Sequence, residues 1–224
     1  MTPRFRDRHD AGQQLAARLR QLANRPDLIV LGLPRGGVVV AAVVATALAA
    51  PLDALVVRKL GVPGHEELAM GAIASGGIRV LDDLIVRELR ISPAAIETVE
   101  RAERAELDRR EGLYRDNRPM PDLRGKIVII VDDGLATGST MRAAIGAVRL
   151  QQPGWMVCAV PVASRNVLGT IDALVDEFIC LEIPGPFLAV GLSYADFSPT
   201  SDQEVIRLLR ASCPGIGPGA ARGT

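Results

Sequence analysis

The feature that most constrains this chain is a continuous apolar run that ends in two acids, a glycine-bearing turn and the start of a helix. Lys126-Ile-Val-Ile-Ile-Val131 leads directly into Asp132-Asp133-Gly134-Leu135-Ala136-Thr137-Gly138-Ser139-Thr140. A β-branched run with no polar face belongs to a strand covered on both sides, which means a parallel sheet between two layers of helices. The same order occurs earlier: Leu28-Ile-Val-Leu-Gly-Leu33 is bounded by Pro26 and Pro34, Pro34-Arg35-Gly36-Gly37 makes a turn, and a helix is predicted over 38–50. Asp53-Ala-Leu-Val-Val57 then reads as a second buried strand ending at Arg58-Lys59, closing a βαβ unit. A strand over 155–162, a helix over about 166–174 and a strand over 177–181 complete the alternation. The expected fold is a doubly wound, mainly parallel α/β sheet flanked by helices.

Other segments are less periodic. Leu15, Leu19 and Leu22 sit at helical spacing in a polar, Arg-rich segment, 1–26. Residues 61–77 carry Pro63, Gly64, Gly71 and Gly76 and read as a mobile loop, with short apolar pieces at 69–74 and 78–81 able to pair as a hairpin. Ser92 and Pro93 are a helix N-cap and first-turn pair, opening a charged surface helix to about Tyr114. One domain over 1–213 is expected, with its core at about 28–182 and a Pro/Gly/Ala-rich, disordered tail at 214–224.

Charge narrows the partners. The chain of 224 residues carries 26 basic and 26 acidic side chains and has a pI near 6.7. No long-range field draws it to nucleic acid or an anionic membrane, so an anionic ligand must be held by a local device. The longest Ala-rich apolar stretch, 38–50, stops at Pro51 and is too short to span a bilayer. Cys158, Cys180 and Cys213 form neither a disulfide framework nor a zinc pattern, which fits a reducing cytoplasm. Lys59 and Lys126 are the only lysines, so a lysine at a motif is more telling here than an arginine.

The 132–140 turn carries chemistry. A glycine-containing turn at a helix N-terminus offers backbone N–H groups to an anion, the helix dipole favours negative charge, and Thr137, Ser139 and Thr140 add hydroxyl donors. Carboxylates at Asp132 and Asp133 can accept hydrogen bonds from vicinal sugar hydroxyls or hold a hydrated divalent cation. Together they suggest a ribose 5-phosphate. The spacing of Gly134 and Gly138 and the lack of a following lysine exclude a Walker A loop, and no G-x-G-x-x-G is present. A strand-end turn with a chance cap would explain Asp133 and Ser139 separately, but not the whole run.

Hydrophobic strand, two acids and Ala136-Thr137-Gly138-Ser139-Thr140 together resemble the phosphoribosyl pyrophosphate signature of the type I phosphoribosyltransferases. Within that family the chain looks most like a bacterial group without assigned substrates, because the charged helix at 92–114 is an insertion relative to the purine and orotate enzymes. The resemblance implies the type I phosphoribosyltransferase fold, with a flexible loop and a small hood from 1–26 and 183–212. It also implies Mg²⁺ as cofactor, a homodimer, and transfer of the 5-phosphoribosyl group to a nitrogen acceptor, a nucleobase, with release of pyrophosphate. Asp132 and Asp133 would hold the ribose and the metal, directly or through water. Residues Gly134, Leu135, Ala136, Thr137, Gly138, Ser139 and Thr140 would bind the 5-phosphate. Arg35, Gly36 and Gly37 resemble the pyrophosphate loop, in which family members often have a cis non-prolyl bond, and Arg58 and Lys59 resemble the basic position that reaches the pyrophosphate. Arg35, Lys59, Asp132 and Asp133 would carry catalysis.

Outside the motifs, His65 lies in the expected closing loop, and two isolated histidines make no nucleophilic triad. Phe5, Phe187, Tyr194 and Phe197 could stack on a planar acceptor or pack the C-terminal segment onto the sheet, with Arg6, Arg8, Asp196 and Ser198 nearby as possible edge readers. The competing function is a non-catalytic sensor of phosphoribosyl pyrophosphate; retention of Arg35-Gly36-Gly37 and Arg58-Lys59 favours the enzyme.

Overall fold

The computed structural model describes residues 3–116 and 118–212; Cys213 and the tail expected from 214 lie outside them. Helix α1 (Arg8–Arg18) precedes β1 (Leu28–Gly32), α2 (Gly36–Leu48) and β2 (Leu52–Ala54). Strands β3 (Val57–Val62), β4 (His65–Ala74) and β5 (Ile78–Leu81) follow, then helices α3 (Asp83–Glu88) and α4 (Pro93–Arg115). The chain continues through β6 (Ile127–Val131), α5 (Ser139–Arg149), β7 (Trp155–Val162), α6 (Leu168–Asp172), β8 (Glu177–Glu182) and α7 (Asp202–Ala211).

Strands β2-β1-β6-β7-β8 form a parallel sheet in that order. Alternation within the apolar runs divides the core in two. Leu28, Val30, Ile127, Ile129 and Val131 join the cluster containing α1, α2, α4 and α7 residues. Ile29, Leu31, Val128 and Ile130 join that of α5 and α6. This is why β1 and β6 have no polar face.

Three sequence expectations are corrected. The segment read as one strand over 53–57 is split: β2 ends at Ala54, Leu55 still donates its N–H to the Gly32 carbonyl, and Val56 bonds instead to Ser75. The chain there leaves the parallel sheet for a separate antiparallel one, β3-β4-β5, so Arg58 and Lys59 lie inside β3 and not at the end of a central strand. Both stretches are apolar, and nothing in their composition marks the change of sheet. The hairpin expected from 69–74 with 78–81 forms as β4 against β5, but the mobile loop expected before it is the end of β3 and the start of β4, with turns only at 63–64 and 75–77. The helix expected over 166–174 is a short 3₁₀ turn followed by α6.

Helix α4 starts as expected, Ser92 capping the Ala95 N–H with Pro93 in the first turn. It braces the hairpin sheet through Arg58–Glu103 and Arg79–Glu100 ion pairs. Its C-terminal end is anchored by Arg115, 5% exposed at its side chain, which pairs with Asp53 and Glu111 and donates to the Ala54 carbonyl. Tyr114 donates to Asp202 of α7. Among the described residues no helix is long and apolar enough to cross a membrane.

Arg115 therefore joins the inserted helix to the edge strand. Arg115→Met, which strands Asp53, is expected to destabilise the fold by about 3 kcal/mol, read from the urea midpoint; an unchanged midpoint would contradict the anchoring role.

Candidate active site

Parallel, in-register pairing places Gly32 of β1 opposite Val131 of β6, so the turns after both strands leave the sheet at one level. Leu33 N–H donates to the Val131 carbonyl at 2.9 Å and ties the two turns together. One turn enters α2 and the other α5, and neither helix has a side-chain cap. Two helix N-termini thus stand side by side at the carboxyl end of the sheet without a capping side chain at either N-cap, only the Thr137 hydroxyl reaching the first N–H of α5, at Ser139, an arrangement suited to an anion with more than one phosphate.

The two turns touch. A Cβ on Gly36 would stand 1.9 Å from Asp133 Oδ2 and 2.7 Å from Arg8 Nε, and one on Gly37 would stand 2.8 Å from both the Cα and Oδ1 of Asp132. These glycines are required by the protein's own acids, a reason beyond the backbone's approach to a phosphate that their spacing suggests. The Pro34–Arg35 peptide bond in this turn is cis.

Asp132 Oδ1 accepts the Asp133 N–H at 2.9 Å. Burial and the adjacent Asp133 charge push the Asp132 carboxyl well above the usual carboxylate range; burial raises Asp133 too, against the opposing pull of Arg8. Arg8 Nε donates to Asp133 Oδ2 at 2.8 Å, and its Nη1 donates to the Ser198 carbonyl at 2.8 Å. The Arg8 guanidinium lies 3.9 Å from the centroid of the Phe197 ring. Tyr194 donates its hydroxyl to the Asp133 carbonyl at 2.6 Å, and burial with the acids' charge raises its pKa.

The aromatic residues are thereby placed. Phe5 and Tyr194 are buried, their ring centroids 5.4 Å apart, and Tyr194 and Phe197 are 5.0 Å apart. Phe187 packs partly buried against the same cluster. Of the two sequence readings, the structure favours packing: these rings join the N-terminal segment to 193–197 and support the acid pair. Arg8 is an ion-pair partner of Asp133, while Asp196 turns inward on Ser198.

The loop 134–141 encloses, with Asp132 and Val190, a pocket of about 200 Å³. Gly138 takes the left-handed conformation (φ +69°) that lets α5 begin immediately afterwards. The Thr137 and Ser139 hydroxyls lie 3.1 Å apart, and Thr140 is exposed. Arg142, one turn into α5, donates to the Thr137 carbonyl and the Ser139 hydroxyl. Sequence reasoning missed Arg142 because arginine is common in this chain. Leu135 anchors the loop, donating its N–H to the Val162 carbonyl and accepting from Ser164 N–H.

The basic candidates separate. Arg35, exposed at the start of α2, has no ion-pair partner among the described residues. Arg58 and Lys59 point to opposite faces of β3, as strand geometry requires. Arg58 is held by Glu103 of α4 at 2.6 Å, while Lys59 donates to the Glu67 carbonyl at 3.1 Å. His65 is exposed on β4 and joins no catalytic cluster. No group of three or more His, Cys, Asp or Glu suited to a metal occurs among the described residues.

The family model of the phosphoribosyl transferase domain matches residues 6–194. The chain belongs to that family. It is also 49% identical over 205 residues to a Mycobacterium tuberculosis protein that carries the provisional name of a phosphoribosyl transferase, covering 92% of this chain and 46% of the relative. This phosphoribosyl transferase domain thus spans about half the length of the curated relatives it matches. The crystal structure of TT1426 from Thermus thermophilus superposes with a TM-score of 0.84 at 42% identity, over 92% of this chain and 97% of that one. The architecture is the type I phosphoribosyltransferase fold expected from the sequence.

Crowding around Gly36 can be tested directly. Gly36→Ala is expected to cost about 1–3 kcal/mol in chemical denaturation through overpacking. Gly169→Ala, where a Cβ meets nothing within 4 Å, should cost nothing. Equal stability of the two variants would contradict the contact.

Proposed function

We propose that this domain binds phosphoribosyl pyrophosphate with Mg²⁺ and transfers the 5-phosphoribosyl group to a nitrogen acceptor, a nucleobase, releasing pyrophosphate. The observation that carries the reading is the junction of the two turns: an acid pair with phosphate-suited helix N-termini on both sides of it. In the 134–141 pocket, backbone N–H groups and the Thr137, Ser139 and Thr140 hydroxyls hold the 5-phosphate.

The acids suit the ribose. Each has one oxygen engaged, Asp132 Oδ1 by the Asp133 N–H and Asp133 Oδ2 by Arg8. The second oxygen of each accepts no hydrogen bond from another described residue, leaving two acceptors for two vicinal hydroxyls. The donor set also fits a divalent cation: two carboxylates face one arginine, and Mg²⁺ commonly takes one or two carboxylates with water and substrate oxygens. When bound, the ion would neutralise charge on the pyrophosphate oxygens.

In the reaction the acceptor nitrogen attacks the anomeric carbon as the bond to the pyrophosphate oxygen breaks, through an oxocarbenium-like state. The chain contributes position and charge: Gly36 and Gly37 amides and the Arg35 guanidinium receive the leaving pyrophosphate, and Lys59 joins them by exchanging Glu67 for it. Arg58, engaged by Glu103 on the other face of β3, braces the hairpin. A binding-only sensor is the second reading, favoured by the acids that occupy Arg58 and Lys59.

Incubation with phosphoribosyl pyrophosphate, Mg²⁺ and pooled nucleobases, followed by pyrophosphate measurement, separates the readings. Base-dependent release is expected; tight binding without release would establish the sensor. Asp132→Asn should weaken calorimetric binding about 10- to 100-fold, the worth of one hydrogen bond to a charged group. The same variant should unfold at the parent's temperature or higher, because burial and Asp133 both disfavour the Asp132 carboxylate. Unchanged affinity would refute the site.

A further inference from the structure

We propose that Arg8 is the positioning residue of the ribose subsite, locking Asp133 in place and coupling it to both chain segments that overlie the site. The inference rests on the phosphoribosyl reading given above and assigns a residue outside every motif that supports it.

Arg8 and Asp133 are 125 residues apart in sequence, yet their side chains are only 11% and 16% exposed and meet at 2.8 Å. The guanidinium has three engagements: Asp133 Oδ2 at its Nε, the Ser198 carbonyl at its Nη1, and the Phe197 ring 3.9 Å from its central carbon. A planar fork that stacks while bonding at two edges fixes orientation as well as charge.

Its backbone is fixed from both sides. The Asp7 side chain caps α1 by accepting the Asp10 N–H at 2.8 Å, which sets where the helix starts. The Arg6 carbonyl accepts the Asp196 N–H, and Phe5 pairs with 193–195 through its own N–H and carbonyl. Gly36 leaves space for the pair: a Cβ there would collide with both Asp133 Oδ2 and Arg8 Nε. The ribose acid is thus held by a preorganised side chain, which keeps one carboxylate oxygen occupied and the other available to a sugar hydroxyl.

Positioning and plain structural support predict different selectivity. Arg8 acts through Asp133, so its loss should affect ligands that contain ribose and spare those that do not. The test is calorimetric titration of phosphoribosyl pyrophosphate with Mg²⁺, and of ribose 5-phosphate and inorganic pyrophosphate without it so that no metal on the acid pair bears on the pyrophosphate control, into the parent chain, Arg8→Met, Arg8→Lys and Phe197→Leu, with thermal unfolding of each.

Arg8→Met is expected to weaken both ribose ligands by about tenfold or more, within the usual range of site coupling, and to leave pyrophosphate affinity unchanged. Arg8→Lys should recover part of the loss, because it restores the charge without the fork or the stack. Phe197→Leu, which keeps the Arg8–Asp133 charge pair, should give the same selectivity at smaller size and covers the case in which Arg8→Met does not fold. Equal weakening of pyrophosphate and ribose ligands, or no weakening at all, would overturn the proposal while parent binding upholds the phosphoribosyl reading. A parent that binds neither ribose ligand removes both.

Discussion

The structure depends on the pairing of β1 with β6. These strands are 99 residues apart between Gly32 and Val131, yet lie side by side, parallel and in register over their full lengths. Each is followed by a short turn and a helix, so the pairing brings two helix N-termini to one edge of the sheet. Burial of alternate residues in two separate cores holds the register, because a one-residue slip would exchange the faces. Everything proposed for ligand binding follows from that alignment.

What the alignment creates is electrostatically unfavourable in the free protein. Two adjacent acids sit largely out of water with a single arginine against them, in space that a side chain at Gly36 or Gly37 would fill. Such an arrangement is a cost to stability that a cationic or hydroxyl-rich ligand can offset, and perturbed carboxylates in a cleft are a mark of functional sites. The surrounding structure tolerates it through fixed supports: Tyr194 on the Asp133 carbonyl, the Asp133 N–H on Asp132, and Leu135 bonded across to β7.

The central sheet was legible because its physics is local. A strand buried on both faces must be continuously apolar, and the runs at 28–33, 126–131 and 155–162 could hardly be anything else. The start of α4 was legible for the same reason, Ser92 and Pro93 being side chains that act on their own backbone. The acids and hydroxyls of 132–140 sit in one turn, so their chemistry also appears in sequence order. The split at Leu55-Val56 was not legible, because two apolar stretches in two sheets look like one strand. Neither was the division of Arg58 from Lys59: adjacent basic residues read as a pair, but a strand sends them to opposite faces, one to Glu103 and one to Glu67. Arg8 and Tyr194 reach Asp133 across long separations, a relation that no spacing encodes.

The central claim is that two turns joined by β1 and β6 form one ligand site. Amide hydrogen exchange, followed with and without phosphoribosyl pyrophosphate and Mg²⁺, tests it most directly. The account predicts that the ligand slows exchange at Gly36-Gly37 and across 136–141 together, with the same concentration dependence. Protection confined to one turn, or changes at the two turns with different concentration dependences, would contradict it.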